Sequence, residues 1–138
     1  MVVLGASAAS IQAGCDLGAA VIVTNQDWAE GMGSSVRVGV GALQDLDACV
    51  VTTCDMLAVT AAHLQSLMAT GEVTASSYAG RPGVPAYFPV SAFPSLMELR
   101  GDAGAKGLLR SARLLELVGG ELDIDTVEDL DRARKLFG

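Results

Sequence analysis

Aspartates that follow predicted strands are the residues best placed to do chemistry in this chain. Residues 48–54, ACVVTTC, are all apolar or small, and residues 50–53 are all β-branched, which is typical of a strand covered on both faces. Asp55 comes directly after it. Ligands of open α/β sheets bind at the carboxyl ends of strands, so Asp55 is placed to bind a hard cation such as Mg²⁺, which takes oxygen ligands and acts together with substrate phosphates. The alternative is that Asp55 caps the next turn or helix.

A second pair of acids lies near the end of the chain. Asp123 and Asp125 are two residues apart, so in an extended segment their side chains point the same way while Ile124 points into the core. Thr126 and Asp129 form a variant of the capping box, which predicts that the last helix begins there.

The segment NQDWAEGMGSS, residues 25–35, is polar and rich in glycine, and it precedes a predicted helix over 36–43. Backbone amides at such a helix start let an anion or a ribose hydroxyl approach closely. The alternative is an ordinary serine N-cap after a flexible loop. Arg81 projects from the turn AGRPGVP, residues 79–85, where it contacts an anionic substrate or is only solvated. His63 is expected on the polar face of a helix, solvated rather than acting as a ligand or base.

Composition restricts the classes of function. The 138 residues predict one domain, 1–138, and 51% hydrophobic with 4% aromatic residues favours α/β layers built from Ala, Val and Leu. A net charge of −7 disfavours nucleic acid as a partner. The sequence has no uncharged apolar run of membrane length and no signal-peptide pattern. The cysteines, Cys15, Cys49 and Cys54, are expected to be small buried thiols in a reducing cytoplasm, and a single histidine disfavours a zinc site.

The elements that must position these residues alternate between strand and helix, as in a parallel sheet. The patterns predict strands over 1–4, 20–24, 48–55, 73–78, 84–89 and 113–118, and helices over 7–17, 36–43, 61–69, 91–99 and 103–112, with a last helix ending at 137. Prolines at the margins of 84–89 place that strand at an edge or a bulge. Together with 73–78, which we expect to be half-buried, it forms a hairpin-like interruption of the parallel repeat.

Four motifs in this order resemble the MobA/MocA-type nucleotidyltransferases, the molybdopterin guanylyl- and cytidylyltransferases. They are NQDWAEGMGSS, TTCDM, the pair GRPGVPAYF and LRGDAGAKGLL, and LDIDTVEDL. The resemblance spans essentially the whole chain. It implies a three-layer, Rossmann-like α/β fold with a mostly parallel sheet, of the nucleotide-diphospho-sugar-transferase type. It also implies molybdenum cofactor biosynthesis: transfer of a nucleotidyl group from an NTP, with CTP favoured, to molybdopterin or a related phosphorylated acceptor.

The resemblance also implies roles for individual residues. Asp55, Asp123 and Asp125 would bind Mg²⁺, with Asp55 and Asp125 catalytic. The nucleotide would be bound by Gly31, Gly33, Ser34 and Ser35, near its base or ribose. The acceptor pocket would be bordered by Arg81, Gly83 and Pro85. Many relatives have a histidine before the proline of that loop, where this chain has Val84.

One family element has no counterpart in the sequence. The family opens with a strand and a phosphate-binding loop of the type LAAGxSxRMGxxK, whereas no Arg or Lys precedes Arg37 here. We therefore align VVLGAS, residues 2–7, with the family's second strand and expect an N-terminally truncated domain. The explanations are a shortened sequence, a start codon assigned too late, or a natural remnant that has lost catalysis. Loss of a central strand would leave unpaired edges and favour a homodimer or aggregation.

Two classes of function therefore stay open. The first is a Mg²⁺-dependent nucleotidyltransferase, active in its complete form. The second is a catalytically inactive remnant that binds a cofactor or a protein. A sugar-phosphate nucleotidyltransferase is a third reading, less favoured because GDAGA and DIDTVED resemble the molybdopterin group. The sequence does not choose between CTP and GTP.

Overall fold

The computed structural model describes residues 1–103, 106–122 and 124–137, apart from the side chains of residues 103, 136 and 137. The strands are β1 (Val2–Leu4), β2 (Ile22–Thr24), β3 (Ala48–Val51), β4 (Thr74–Tyr78), β5 (Arg81–Pro89) and β6 (Arg113–Glu116). The helices are α1 (Ala8–Gly14), α2 (Met32–Gly41), α3 (Ala61–Met68), α4 (Phe93–Met97), α5 (Lys106–Leu109) and α6 (Val127–Phe137). In these ranges, no helix is long and apolar enough to cross a membrane.

The chain forms two compact units, one of residues 1–47 and 90–108, the other of residues 48–89 and 109–138. In the first unit, β1 and β2 pair in parallel and are connected through α1. Helix α2 contacts β1 and α4 in the same unit. Leu4, Val40 and Leu96 are buried there. The assignment of both units to one domain stays a prediction.

The second unit contains a four-stranded sheet in the order β3–β5–β4–β6. Strand β4 is parallel to β6, whereas β5 is antiparallel to both β3 and β4. Three strands therefore run in one direction and β5 runs in the other. This confirms the α/β class, the mostly parallel sheet and the hairpin-like interruption formed by β4 and β5.

Strand β5 lies inside the sheet, so its prediction as an edge strand is wrong, while the predicted bulge is confirmed. The pairing passes from Ala75 opposite Ala86 to Ser76 opposite Gly83, so Val84 and Pro85 are extra residues on β5. A bulge lets proline sit in a central strand because the bulged residues leave the ladder, where proline has no N–H to donate.

Burial along the strands differs from the prediction in two places. All four residues of β3 keep partial exposure, so the expectation of a strand covered on both faces is wrong; β3 is the outer strand of its sheet. Conversely, the first three residues of β4 are fully buried rather than half-buried, because β4 has a neighbour on each side. Cys15 and Cys54 are exposed, which corrects their prediction as buried thiols. Cys49 is half-buried, and burial raises the pKa of its thiol.

Several helix boundaries differ from the prediction. Helix α2 begins at Met32, four residues before the predicted start, with Gly31 at its N-cap, so the serine N-cap interpretation is wrong. Of the predicted helix over 103–112, the structure describes helix α5 over Lys106–Leu109 and a 3-10 helix over Gly101–Ala103, while residues 104–105 lie outside the described residues. Two predicted starts are confirmed. The Thr60 hydroxyl accepts a hydrogen bond from the His63 N–H at 3.2 Å, and α6 begins directly after Thr126.

Candidate functional site

The carboxyl ends of β3, β4 and β6 meet at one edge of the four-stranded sheet, because these three strands run in the same direction. Asp55 follows β3, the hairpin tip at 79–80 follows β4, and the segment 117–125 follows β6. This edge is where α/β sheets bind ligands. The fold of the second unit therefore places Asp55, Asp125 and the tip of the β4–β5 hairpin on segments that begin at this edge.

Asp55 is held at this edge by its backbone, while part of its carboxylate has no partner. The Ile124 N–H donates to the Asp55 carbonyl at 3.2 Å, and the Leu57 N–H donates to the Leu122 carbonyl at 3.5 Å. These two bonds tie the segment after β3 to the segment after β6, next to the exposed Asp125. The Asp55 Oδ1 atom is buried without a hydrogen-bond partner among the residues that the structure describes.

An unpartnered, buried carboxylate oxygen is costly unless a cation or a donor meets it. The Asp55 carboxylate oxygen is of the donor type that a divalent cation takes, and Asp125 is exposed on the adjoining segment. Their roles as metal ligands stay predictions. Asp123 lies outside the described residues. Within the described ranges, which omit Asp123, no group of three His, Cys, Asp or Glu side chains is arranged to hold a metal. The capping alternative for Asp55 gains no support, since Thr60 supplies the cap of α3.

The candidate acceptor loop has one residue free for a ligand and two that are needed for packing. Arg81 is exposed at the start of β5. A Cβ atom at Gly83 would overlap the Tyr78 hydroxyl, so glycine is required there for close approach to that ring. Pro85 is fully buried, and its carbonyl accepts a hydrogen bond from Ser76 at 2.6 Å. Of these three residues, Arg81 is the one positioned to contact an anion directly.

His63 is not solvated as predicted. Its Nε2 atom lies 2.8 Å from the Ser76 hydroxyl, the residue is half-buried, and burial lowers its pKa. Sequence reasoning missed this contact because the two residues lie 13 positions apart on different elements. No pattern in the sequence indicates that a residue on the polar face of a short helix contacts a particular residue of a strand.

The candidate nucleotide-binding residues lie in the first unit, around a buried amide that the sequence did not single out. Asn25, 1% exposed, donates from Nδ2 to the hydroxyls of Ser34 at 2.7 Å and Ser35 at 3.0 Å. Its Oδ1 accepts from the Asp27 N–H at 2.9 Å. The buried Ser34 hydroxyl also lies within donating distance of the carbonyls of Asp27, 3.0 Å, and Gly31, 2.8 Å. Ser34 thus belongs to the loop's own hydrogen-bond network, and its contact with a nucleotide stays a prediction.

Gly31 and Gly33 bring two distant motifs together. Gly31 has φ +108°, and a Cβ there would overlap the Asp102 carboxylate and lie 2.7 Å from the Gly101 carbonyl carbon. A Cβ at Gly33 would lie 3.0 Å from the Gly101 carbonyl oxygen. Gly31 and Gly33 of the first motif therefore pack closely against residues 100–102 of the second. The Asp102 carboxylate therefore lies beside Gly31, the N-cap of α2.

Arg37, the first basic residue of the sequence, hydrogen-bonds to the same two segments. Its side chain, 16% exposed, donates to the Leu99 carbonyl at 2.5 Å and to the Glu30 carboxylate at 2.6 Å. These contacts tie α2 to the loop that carries Glu30 and to the segment before Gly101. Arg37 therefore acts here as a structural clamp rather than as a free cation.

Comparisons with known proteins identify relatives over most of the chain. A sequence model of the MobA-like NTP transferase domain matches residues 1–117. The chain is 36% identical over 121 residues to the purine catabolism protein PucB of Bacillus subtilis, covering 80% of this chain and 59% of PucB, so it spans less than two thirds of that relative. It is 30% identical over 150 residues to nicotine blue oxidoreductase of Paenarthrobacter nicotinovorans, covering 96% of this chain and 73% of the relative.

Solved structures show the same fold. Rv0371c of Mycobacterium tuberculosis H37Rv is 25% identical with a TM-score of 0.75, covering 96% of this chain and 74% of Rv0371c. Its crystal structure in complex with manganese gives a TM-score of 0.76. The molybdopterin-guanine dinucleotide biosynthesis protein A of Archaeoglobus fulgidus, 19% identical, has a TM-score of 0.59, covering 85% of this chain and 68% of that protein, which shows likeness of fold.

Proposed function

Because this chain belongs to the family of MobA-like NTP transferase domains, we propose that it takes part in divalent-metal-dependent transfer of a nucleotidyl group from CTP to molybdopterin or a related phosphorylated acceptor. The metal is proposed to be Mg²⁺, and the manganese bound by the similar Rv0371c supports a divalent cation in this fold. Molybdenum cofactor biosynthesis and a cytoplasmic location are part of the same proposal.

The observation that carries the proposal is the buried Oδ1 of Asp55, without a partner among the described residues, at the carboxyl edge of the sheet. A cation there would meet an oxygen that nothing described satisfies. Asp125 follows the residue whose N–H bonds to the Asp55 carbonyl, so both acids belong to one locality. We assign Asp55 and Asp125 as metal ligands with catalytic roles, and Asp123 as a third ligand on sequence grounds.

The proposed reaction needs charge neutralisation more than covalent chemistry from the protein. A bound divalent cation would neutralise phosphate charge on the nucleotide. The carboxylates of Asp55 and Asp125 would hold that charge at the sheet edge, where without a cation they would repel a triphosphate. Arg81 would bind an anionic group of the acceptor. On sequence grounds, Ser35 of the first unit, whose hydroxyl accepts one hydrogen bond from Asn25, is proposed to contact a ribose or base.

A specific observation favours the second candidate function, a non-catalytic cofactor- or protein-binding module. Arg37 is bound by the Glu30 carboxylate and the Leu99 carbonyl, so the first basic side chain of the sequence is not available to a triphosphate. Transfer of a nucleotidyl group depends on such cationic groups as well as on the metal. A module with this fold would bind its ligand without turnover.

The proposal is tested by calorimetric titration of the 138-residue chain with CTP and GTP, in MgCl₂, in MnCl₂ and in EDTA. We expect metal-dependent binding that weakens by about tenfold or more in Asp55→Asn, because that substitution removes a charged ligand and keeps its shape. Asp47→Asn, which makes the same charge change in an exposed residue just before β3, is the matched control and should bind as the wild type.

A second readout does not depend on the nucleotide. At a metal concentration of 100 times the wild-type Kd, binding should raise the free energy of unfolding of the wild type by about 2.7 kcal/mol, and that of Asp55→Asn by about 1.4 kcal/mol or less if its affinity is about tenfold weaker or more. In EDTA, Asp55→Asn should be at least as stable as the wild type, since it removes an unpartnered buried charge. Equal metal stabilisation of both proteins would contradict the metal assignment. Protein that binds CTP but shows no pyrophosphate release with molybdopterin would favour the binding module.

A further inference from the structure

A chain of three hydrogen-bonding groups links helix α3 to the bulge in β5. The Nε2 atom of His63 lies 2.8 Å from the Ser76 hydroxyl, and that hydroxyl donates to the Pro85 carbonyl at 2.6 Å. Ser76 is fully buried and lies in the strand that pairs with β5. The chain therefore connects a helix, the middle of β4 and the bulged segment of β5.

The chemistry of these groups fixes the direction of the chain. A serine hydroxyl has one hydrogen, and Ser76 gives it to the Pro85 carbonyl. The contact with His63 must therefore use a hydrogen carried by the imidazole Nε2 atom. This requires the Nε2–H tautomer and leaves Nδ1 as an acceptor when the ring is neutral.

The bulge is the part of the hairpin that needs this support. Val84 and Pro85 are extra residues opposite the Ala75–Ser76 step, where the register of the β4–β5 ladder shifts. Proline has no N–H, so the ladder cannot hold this segment in the usual way. On the hairpin side of the bulge lie Gly83, which packs against Tyr78, and the exposed Arg81. The position of the Pro85 carbonyl therefore influences the position of Arg81, which lies four residues earlier on the same strand.

We propose that His63 is a positioning residue for the β4–β5 hairpin, holding the Pro85 carbonyl through Ser76 and so setting where Arg81 meets an anionic acceptor. The assignment of the acceptor to this hairpin rests on the proposed function. The hydrogen-bond chain and its direction stand on the geometry of the second unit alone.

The first test is the tautomer. His63 is the single histidine of the sequence, so long-range ¹H–¹⁵N correlation spectra of the uniformly labelled chain at pH 8 report on it without ambiguity. The expected pattern is that of a protonated Nε2 and an unprotonated Nδ1. A protonated Nδ1, or the averaged pattern of a freely exchanging ring, would overturn the proposal.

The second test measures how the hydrogen bonds among His63, Ser76 and Pro85 affect the hairpin. In His63→Ala, amide hydrogen exchange at Gly83 and Val84 should accelerate by about tenfold, the factor that corresponds to loss of about 1.4 kcal/mol of local stability. His63→Gln, whose side-chain N–H₂ can occupy the place of the imidazole Nε2–H, should exchange within about threefold of the wild type. Unchanged exchange in His63→Ala, or a glutamine variant that behaves as the alanine variant does, would contradict the proposal.

A matched control separates positioning from general loss of stability. Thr126→Ala removes the hydroxyl that caps α6 and lowers stability at a place away from the hairpin. It should leave exchange at Gly83 and Val84 as in the wild type. Equal acceleration in Thr126→Ala would show that hairpin exchange follows global unfolding, which would refute a local role for His63.

Enzyme kinetics test whether these hydrogen bonds affect binding of the acceptor. With CTP and molybdopterin as substrates, His63→Ala should raise KM for molybdopterin several-fold with a smaller change in kcat, and His63→Gln should restore KM. A fall in kcat at constant KM would contradict acceptor positioning. Absence of turnover in the wild type would contradict the proposed function alone, because the tautomer and exchange measurements use no substrate and decide the role of His63 by themselves.

Discussion

Replacing Asn25 with alanine should destabilise the first unit strongly, because this buried amide holds together the loop and the helix start that carry the candidate nucleotide-binding residues. Among the residues that the structure describes, the Asn25 side chain makes three hydrogen bonds, to the hydroxyls of Ser34 and Ser35 and to the Asp27 N–H. At about 1 kcal/mol for each bond, and with a further cost for leaving buried partners unpaired, we expect a loss of about 2–4 kcal/mol. That is a large part of the total stability of an ordinary domain.

The assay is urea unfolding followed by tryptophan fluorescence and by circular dichroism. Trp28 is the single tryptophan of the sequence and follows Asp27 directly, so its fluorescence reports on this loop. Gln26→Ala changes the exposed neighbour of Asn25 and should stay within about 0.5 kcal/mol of the wild type.

Asn25→Asp makes the test more specific because it keeps the shape and the acceptor. A carboxylate oxygen replaces the N–H₂ group that faces Ser34 and Ser35, and a charge is buried at a position that is 1% exposed. At pH 7 this variant should be at least as unstable as Asn25→Ala. An alanine variant within 0.5 kcal/mol of the wild type, or an aspartate variant as stable as the wild type, would refute the reasoning.

Two further predictions concern packing and pH. Gly120→Ala should lower the free energy of unfolding by about 1–3 kcal/mol, since its Cβ would lie 2.6 Å from the Tyr78 ring. Gly14→Ala in α1, which has open space around it, should raise the free energy of unfolding by about 0.5–1 kcal/mol. Thermal unfolding of both variants checks this pair. Burial lowers the pKa of His63 below its ordinary 6.5, so the unfolded chain binds the proton first and stability should fall as pH drops below about 6.5. Urea unfolding at pH 7.5 and 5.5 should show a smaller fall in His63→Gln, and an equal fall in both proteins would contradict this origin.

Features set by neighbouring residues followed from the sequence. Thr60 caps α3 through an N–H three residues later, and the hydroxyl of Thr126 pairs with the N–H of Asp129 in the same way. Such contacts lie within one turn of helix, so the residue types at those positions are enough to specify them. Asp55 at the end of a β-branched run is equally local, and the direction of the strands then places it at the carboxyl edge of the sheet, where α/β folds in general bind ligands.

Tertiary structure decided which remote groups meet. Arg37 donates to the carbonyl of Leu99, 62 residues later, and the buried Asn25 side chain donates to Ser34 and Ser35 of helix α2. His63 is predicted to be solvated on a polar helix face, whereas in the structure its Nε2 atom contacts the Ser76 hydroxyl of β4. Strand β5 became central because a bulge accommodates its proline. The sequence shows which hydrogen-bonding groups each residue carries. Burial and pairing depend on which distant residues pack against it, and contacts between distant residues produce no periodic pattern in the sequence.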